Sequence, residues 1–150
     1  MWKKRHTFKT FTNNFKKLEL VMNQIGFYRD ENDDLNVQGI KISSLAEKYG
    51  TPLFIYDASL IKERYDVFLE TIKEVKGNIH YAVKANDALS IISYFGKLGC
   101  GADIVSIGEF KKCVAARISP QKIIFSGVGK DKDEIEFALK NNVLQFNIES

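Results

Sequence analysis

The chain has 150 residues, 45% of them hydrophobic and 27% charged, which is enough apolar side chain for one cored domain. No apolar run approaches the ~20 residues that span a bilayer, and the N-terminal residues lack the apolar stretch of a secretory signal, so a cytoplasmic protein with no membrane partner is expected. The net charge of +3 arises in residues 1–21, where six Lys/Arg meet one acid, and residues 22–150 carry 16 basic and 18 acidic side chains, a balance that excludes a nucleic-acid footprint on the body of the chain.

Residues 1–21 read as a basic extension that fits a nucleic-acid arm, an organelle-targeting segment or an anionic-membrane anchor, or, more plainly, sequence upstream of a natural start at Met22. Two cysteines, Cys100 and Cys113, and two histidines support neither a disulfide framework nor a metal site. A leader follows over residues 22–50. Asp30-Glu31-Asn32-Asp33-Asp34 is a polar turn cluster. Leu35 and Val37, then Ile40 and Ile42, alternate with polar residues and predict short strands. Ser43 or Ser44 is placed to cap a helix through Tyr49, with Glu47 in capping-box spacing from Ser44 and Gly50 as the stop.

Over residues 51–150 the pattern becomes regular. Phe54-Ile55-Tyr56 reads as a strand, after which Asp57 or Ser59 opens a helix to about Lys76, with Ile61, Tyr65, Phe68, Ile72 and Val75 as its apolar stripe. Beyond Gly77, Asn78 to Asn86 reads as a buried strand ending at Lys84. On a strand Lys84 shares a face with His80 and Ala82. It either points inward, where partial desolvation favours a neutral, nucleophilic amine, or snorkels to water. Asp87 is expected to cap a helix carrying Leu89, Ile92, Phe95 and Leu98, ended by Gly99. Ala102 to Val105 is the next strand, and Ser106 caps a helix that buries Phe110, Cys113 or Val114, and the stem of Arg117. Both cysteines read as structural. Ile123 to Phe125 is a strand; Gly127-Val128-Gly129 lacks the third glycine of a dinucleotide fingerprint and reads as a tight turn. Asp131 or Asp133 opens a helix with Ile135, Ala138 and Leu139, and Val143 to Ile148 is the last strand.

From Asn78 the order is β-α-β-α-β-α-β, the signature of a parallel α/β sheet with right-handed crossovers. Periodicity does not separate an open doubly wound sheet from half of a barrel. Strand C-terminal ends are where such sheets carry their sites, and Lys84–Asn86, Asp103–Ser106, Gly127–Lys130 and Glu149-Ser150 all fall there.

Tyr81-Ala82-Val83-Lys84-Ala85-Asn86 resembles the pyridoxal-phosphate attachment motif of the alanine-racemase-like enzymes that include diaminopimelate, ornithine and arginine decarboxylases. Gly50-Thr51-Pro52-Leu53-Phe54-Ile55-Tyr56-Asp57 resembles the opening strand of the diaminopimelate branch. Gly101 to Glu109, Lys122 to Lys130 and Phe146 to Ser150 are similar to the second, third and fourth barrel strands, in order. The resemblance implies the first half of a (β/α)8 TIM barrel with four parallel strands, truncated relative to the about 250 residues of a full barrel. It implies a pyridoxal 5'-phosphate cofactor held by Lys84 as a Schiff base, with Asp103 orienting that amine and Ser106 and Glu109 lining or buttressing the pocket. For Ser106 and Glu109, helix capping accounts for the residues equally well, and Glu149 matches a position near the site. The family's C-terminal β-domain, ring-stacking histidine, phosphate-binding loop and partner-subunit cysteine lie beyond Ser150, so the isolated chain is expected to be inactive. For the full-length protein the resemblance implies a homodimer acting on a small amino-acid substrate, meso-diaminopimelate decarboxylated to L-lysine. The alternatives are an ornithine, arginine or carboxynorspermidine decarboxylase, a non-enzymatic pyridoxal-phosphate carrier, or an inactive truncated product.

Overall fold

The structure, a computed structural model, describes residues 26–75 and 77–148. The basic extension, Met22 and Glu149 lie outside the described residues. The chain divides into two compact units, one up to Tyr65 and one from Asp66.

The first unit begins with three short antiparallel strands, β1 (Phe27–Arg29), β2 (Leu35–Val37) and β3 (Ile40–Lys41), in that order in the sheet. The polar cluster predicted as a turn folds back on Asp30, whose Oδ1 accepts from the amides of Asn32 at 2.9 Å and Asp34 at 3.1 Å. Asn36, buried, donates to Asp30 Oδ2 at 3.0 Å and to the Asp34 carbonyl at 2.7 Å. Gln38 and Gly39, both with positive φ (51° and 76°), join β2 to β3, as a two-residue hairpin turn requires. Helix α1 (Ile42–Tyr49) starts earlier than the serines suggest. β3 runs directly into it, Lys41 occupies the capping position without a side-chain cap, and Ser44 Oγ instead donates to the Lys41 carbonyl at 2.7 Å. Gly50, at φ 81°, ends it as expected.

The strand expected at Phe54-Ile55-Tyr56 does not form: these residues have no ladder partner among the described residues, and Phe54 is 84% exposed. Apolarity alone does not make a strand where no neighbouring edge is offered. Of the two candidate caps for α2 (Ala58–Thr71), the structure selects Asp57, whose Oδ1 accepts from the amides of Ser59 at 2.9 Å and Leu60 at 3.4 Å. Helix α2 ends short of Lys76, and none of its residues is buried, so the predicted stripe is not a core face among the described residues.

The second unit is a four-stranded parallel sheet in the order β4 (His80–Ala82), β5 (Gly101–Ile104), β6 (Ile123–Phe125) and β7 (Gln145–Phe146). Helices α3 (Leu89–Lys97), α4 (Ile107–Ala115) and α5 (Lys132–Lys140) connect the strands. Strand alternation sorts the side chains into two sets. Ala102, Ile104, Ile123 and Phe125 are fully buried and form the core with Val83, Ile92, Phe110, Cys113, Ile118 and Ala138. Aromatic rings close this layer: Tyr81 stacks on Phe95 at 4.2 Å and Phe110 meets Phe137 edge-on at 5.3 Å.

The other set lines the opposite face. Register places Ala82 beside Asp103, Asp103 beside Ile124, and Ile124 beside Gln145. Gly101 stands beside His80 on this face, and a methyl group there would overlap the His80 ring and the Lys122 carbonyl. Of the two core candidates on α4, Cys113 is buried and Val114 is 44% exposed. Several details depart from the sequence reading. Arg117, at φ 66°, turns outward, leaving Ala116 and Ile118 to fill the core. Asp87 does not cap α3. Asn86 Oδ1 accepts from the Ala88 amide at 3.0 Å, while Asp87 pairs with Lys112. Leu89 and Leu139 are more than half exposed, at 51% and 59%.

Candidate functional site

Lys84 does not extend β4. The strand pairs only to Ala82, and Val83–Ala85 then closes a single 3₁₀ turn, stopped by the bond from the Asn86 amide to the Val83 carbonyl at 3.1 Å. Val83 anchors this turn by burying its side chain completely, whereas Lys84 is exposed. The amine is therefore presented at the C-terminal end of the sheet rather than desolvated within it. Among the described residues it has no hydrogen-bond or ion-pair partner. Tyr81 holds the far side of the turn: its hydroxyl donates to the Asn86 carbonyl at 3.0 Å.

Asp103 lies on β5, the strand paired with β4, in the row of Ala82. It is half-buried, and its Oδ1 accepts from the Ser126 hydroxyl just beyond β6. Ser126 Oγ in turn accepts from Asn147 Nδ2, just beyond β7, at 2.9 Å. The structure thus brings Lys84 and Asp103 to the same end of adjacent strands and ties Asp103 to two residues that the sequence reading did not assign to the site. A signal for them exists. Ser126 and Asn147 are each the first polar residue after a strand-end phenylalanine, Phe125 and Phe146, and the pairing of these two phenylalanines sets the serine and the asparagine level.

Ser106 and Glu109 are committed to the start of α4. Ser106 Oγ accepts from the Glu109 amide at 3.2 Å, and Glu109 Oε2 accepts from the Val105 amide at 2.7 Å. The glutamate thus reaches one residue further back than a capping box requires and ties the end of β5 to the helix. Glu134, in the capping box of α5 with Asp131, also accepts from the Ile107 amide at 3.2 Å. Gly127, at φ 89°, forms a tight turn. A Cβ there would lie 3.3 Å from that of Val105, and its carbonyl accepts from Lys130.

Both cysteines are fully packed. Burial pushes the Cys100 thiol up to about 11 against a weaker opposing pull from Lys122. Burial, with the Glu109 carboxylate adding to it, pushes Cys113 up to about 11. Neither is a nucleophile at neutral pH. Among the described residues no helix is long and apolar enough to cross a membrane.

Four parallel strands joined by helices, with Lys84 and Asp103 at the C-terminal ends of neighbouring strands, have the architecture of a barrel-type α/β enzyme. The chain belongs to the pyridoxal-dependent decarboxylases, matching the pyridoxal-binding domain of that family over residues 58–150. It is 50% identical over 106 residues to the diaminopimelate decarboxylase of Helicobacter pylori, covering 71% of this chain and 26% of that protein. It is 40% identical over 123 residues to the diaminopimelate decarboxylase of Aquifex aeolicus, covering 82% of this chain and 28% of the relative. The crystal structure of diaminopimelate decarboxylase from M. jannaschii in complex with L-lysine superposes with a TM-score of 0.78 at 35% identity, over 83% of this chain and 30% of that one. Lysine/ornithine decarboxylase from Vibrio vulnificus, at 20% identity and a TM-score of 0.67, shares the fold. The chain spans between a quarter and a third of the length of these relatives.

Pyridoxal phosphate needs a lysine amine for its carbonyl carbon and polar groups around it. The residues present fit the first requirement through Lys84, exposed and without a polar partner among the described residues, and part of the second through the carboxylate of Asp103 held by Ser126.

Proposed function

We propose that this chain provides the cofactor-attachment part of a cytoplasmic pyridoxal-phosphate-dependent amino-acid decarboxylase, with meso-diaminopimelate as substrate and L-lysine and CO2 as products. Lys84 is the attachment residue, Asp103 orients its amine, and Ser106 and Glu109 border the pocket. The observation that carries this reading is the exposed Lys84, without a polar partner among the described residues, in the turn after β4 and beside the strand that carries Asp103. Bound pyridoxal phosphate supplies an electron sink for the charge left behind when a carboxylate departs as CO2.

The chain's own contributions are positional. Val83 and the Tyr81 hydroxyl fix the backbone on both sides of Lys84, limiting where its amine can reach. Asp103, acceptor-only while ionised, offers that amine a hydrogen-bond acceptor and a countercharge. Glu109 ties the end of β5 to α4 and so holds the strand that carries Asp103. The diaminopimelate assignment over ornithine or arginine is supported by relatives at 37–50% identity that bear that name. A homodimer is proposed for the full-length protein.

The reading is tested by incubating the chain with pyridoxal phosphate, reducing with borohydride and mapping the adduct. Preferential modification of Lys84 is expected. Uniform modification of the exposed lysines contradicts the assignment.

A further inference from the structure

We propose that Ser126 and Asn147, with Gln145 behind them, form a directional hydrogen-bond relay that sets the orientation of the Asp103 carboxylate, making Ser126 a positioning residue. This inference rests on the reading of Lys84 and Asp103 given above.

The direction follows from the donors. Gln145 Nε2 donates to Asn147 Oδ1 at 2.7 Å. Asn147 presents its NH2 to the next residue, and Nδ2 donates to Ser126 Oγ at 2.9 Å. A serine hydroxyl has one hydrogen. Since its oxygen already receives one from Asn147, that hydrogen goes to Asp103 Oδ1. Each link polarises the next, and the carboxylate is the terminal acceptor. Among the described residues Oδ2 accepts no hydrogen bond, so the relay holds one oxygen and leaves the other uncommitted.

Asn147 is itself held by its backbone. Its amide donates to the Phe125 carbonyl at 3.0 Å, and its carbonyl accepts from Lys130 Nζ at 3.0 Å. The same ammonium donates to the Gly127 carbonyl and lies 5.6 Å from the centre of the Phe125 ring. The relay therefore runs across three neighbouring strand ends, β7 to β6 to β5, on the face that the core does not use. The hydrophobic layer is complete on the opposite face without it, so these polar side chains are not there to fill the core.

A carboxylate held in one rotamer keeps its free oxygen in one place for the amine; a rotating one does not. The test is reductive trapping on the full chain with pyridoxal phosphate and borohydride, quantifying the adduct at Lys84 against the other lysines. Wild type is compared with Asp103→Asn, Ser126→Ala, Ser126→Thr and Asn147→Asp, with far-UV circular dichroism on each. Ser126→Ala removes the terminal donor. Asn147→Asp replaces a donor with an acceptor and draws the serine hydrogen away. Both should lower Lys84 labelling by about 3- to 10-fold, as Asp103→Asn does, while Ser126→Thr, which keeps the hydroxyl, restores it.

Wild-type labelling in Ser126→Ala, with Asp103→Asn impaired, overturns the relay and leaves the functional reading standing. Wild-type labelling in Asp103→Asn also overturns the relay. Absence of preferential Lys84 labelling in the wild type overturns both. Should Ser126→Ala unfold, Gln145→Ala at the exposed start of the relay takes its place: a smaller fall in Lys84 labelling supports the relay and an unchanged value overturns it.

Discussion

The Tyr81 hydroxyl donates to the Asn86 carbonyl at 3.0 Å, spanning the 3₁₀ turn that contains Lys84. The ring that carries this hydroxyl is stacked on Phe95, so the clamp is anchored in the aromatic layer under the sheet. Tyr81→Phe removes one hydrogen bond and keeps the stacking. It should cost about 1 kcal/mol in urea unfolding and reduce the preference for Lys84 in pyridoxal-phosphate trapping. A variant as stable and as selective as wild type would show that the turn holds its shape without the clamp.

Gly101 packs under the His80 ring and the Lys122 carbonyl, where a methyl group does not fit. Gly101→Ala forces the backbone or the imidazole to move and should destabilise the chain by about 1–3 kcal/mol. Equilibrium urea denaturation checks this. A second substitution, His80→Ala, should restore part of the loss by removing the ring the methyl would meet.

Asp57 gives the first unit a dependence on acid. Burial pushes its carboxyl up, but hydrogen bonds from the Gln38 side chain, the Ser59 side chain and the amides of Ser59 and Leu60 outweigh this and hold it below its ordinary 3.8. A carboxyl depressed in the folded state contributes stability that is complete above its unfolded value and disappears as pH falls through the lower, folded one. Asp57→Asn should therefore lower stability at neutral pH and flatten the acid limb below about pH 4. Urea midpoints measured against pH for both proteins provide the comparison, and parallel curves would contradict it.

Cys100 and Cys113, both pushed up to about 11, should resist a disulfide-exchange reagent in the native chain at pH 8 and react at once in denaturant. Rapid native labelling of either would mean that the core opens locally.

Much of the second unit was legible because its signals are local and redundant. Ser106 with Phe110 and Cys113 announces a cap and a buried helix face within a few residues, and of the two candidate caps Asp131 and Asp133 the structure uses the first. What failed depended on partners distant in sequence. Phe54-Ile55-Tyr56 has the composition of a strand but no edge to pair with among the described residues. Lys84 read as a strand residue because alternation cannot show where pairing stops, and pairing stops at Ala82. Asp87 looked like a cap until the structure supplied Lys112 from another helix. Lys84 and Asp103 were singled out by their motifs, and the structure puts them at the same end of paired strands. Ser126 and Asn147, each the first polar residue after a strand-end phenylalanine, were not singled out, because only the register of three strands brings them into line with the aspartate.

Whether Lys84 takes the cofactor is decided by peptide mapping after borohydride reduction with pyridoxal phosphate. The adduct should concentrate at Lys84, and in Lys84→Arg no other lysine should take over. An adduct spread over the exposed lysines in proportion to their accessibility, and unchanged in total by Lys84→Arg, would contradict that assignment.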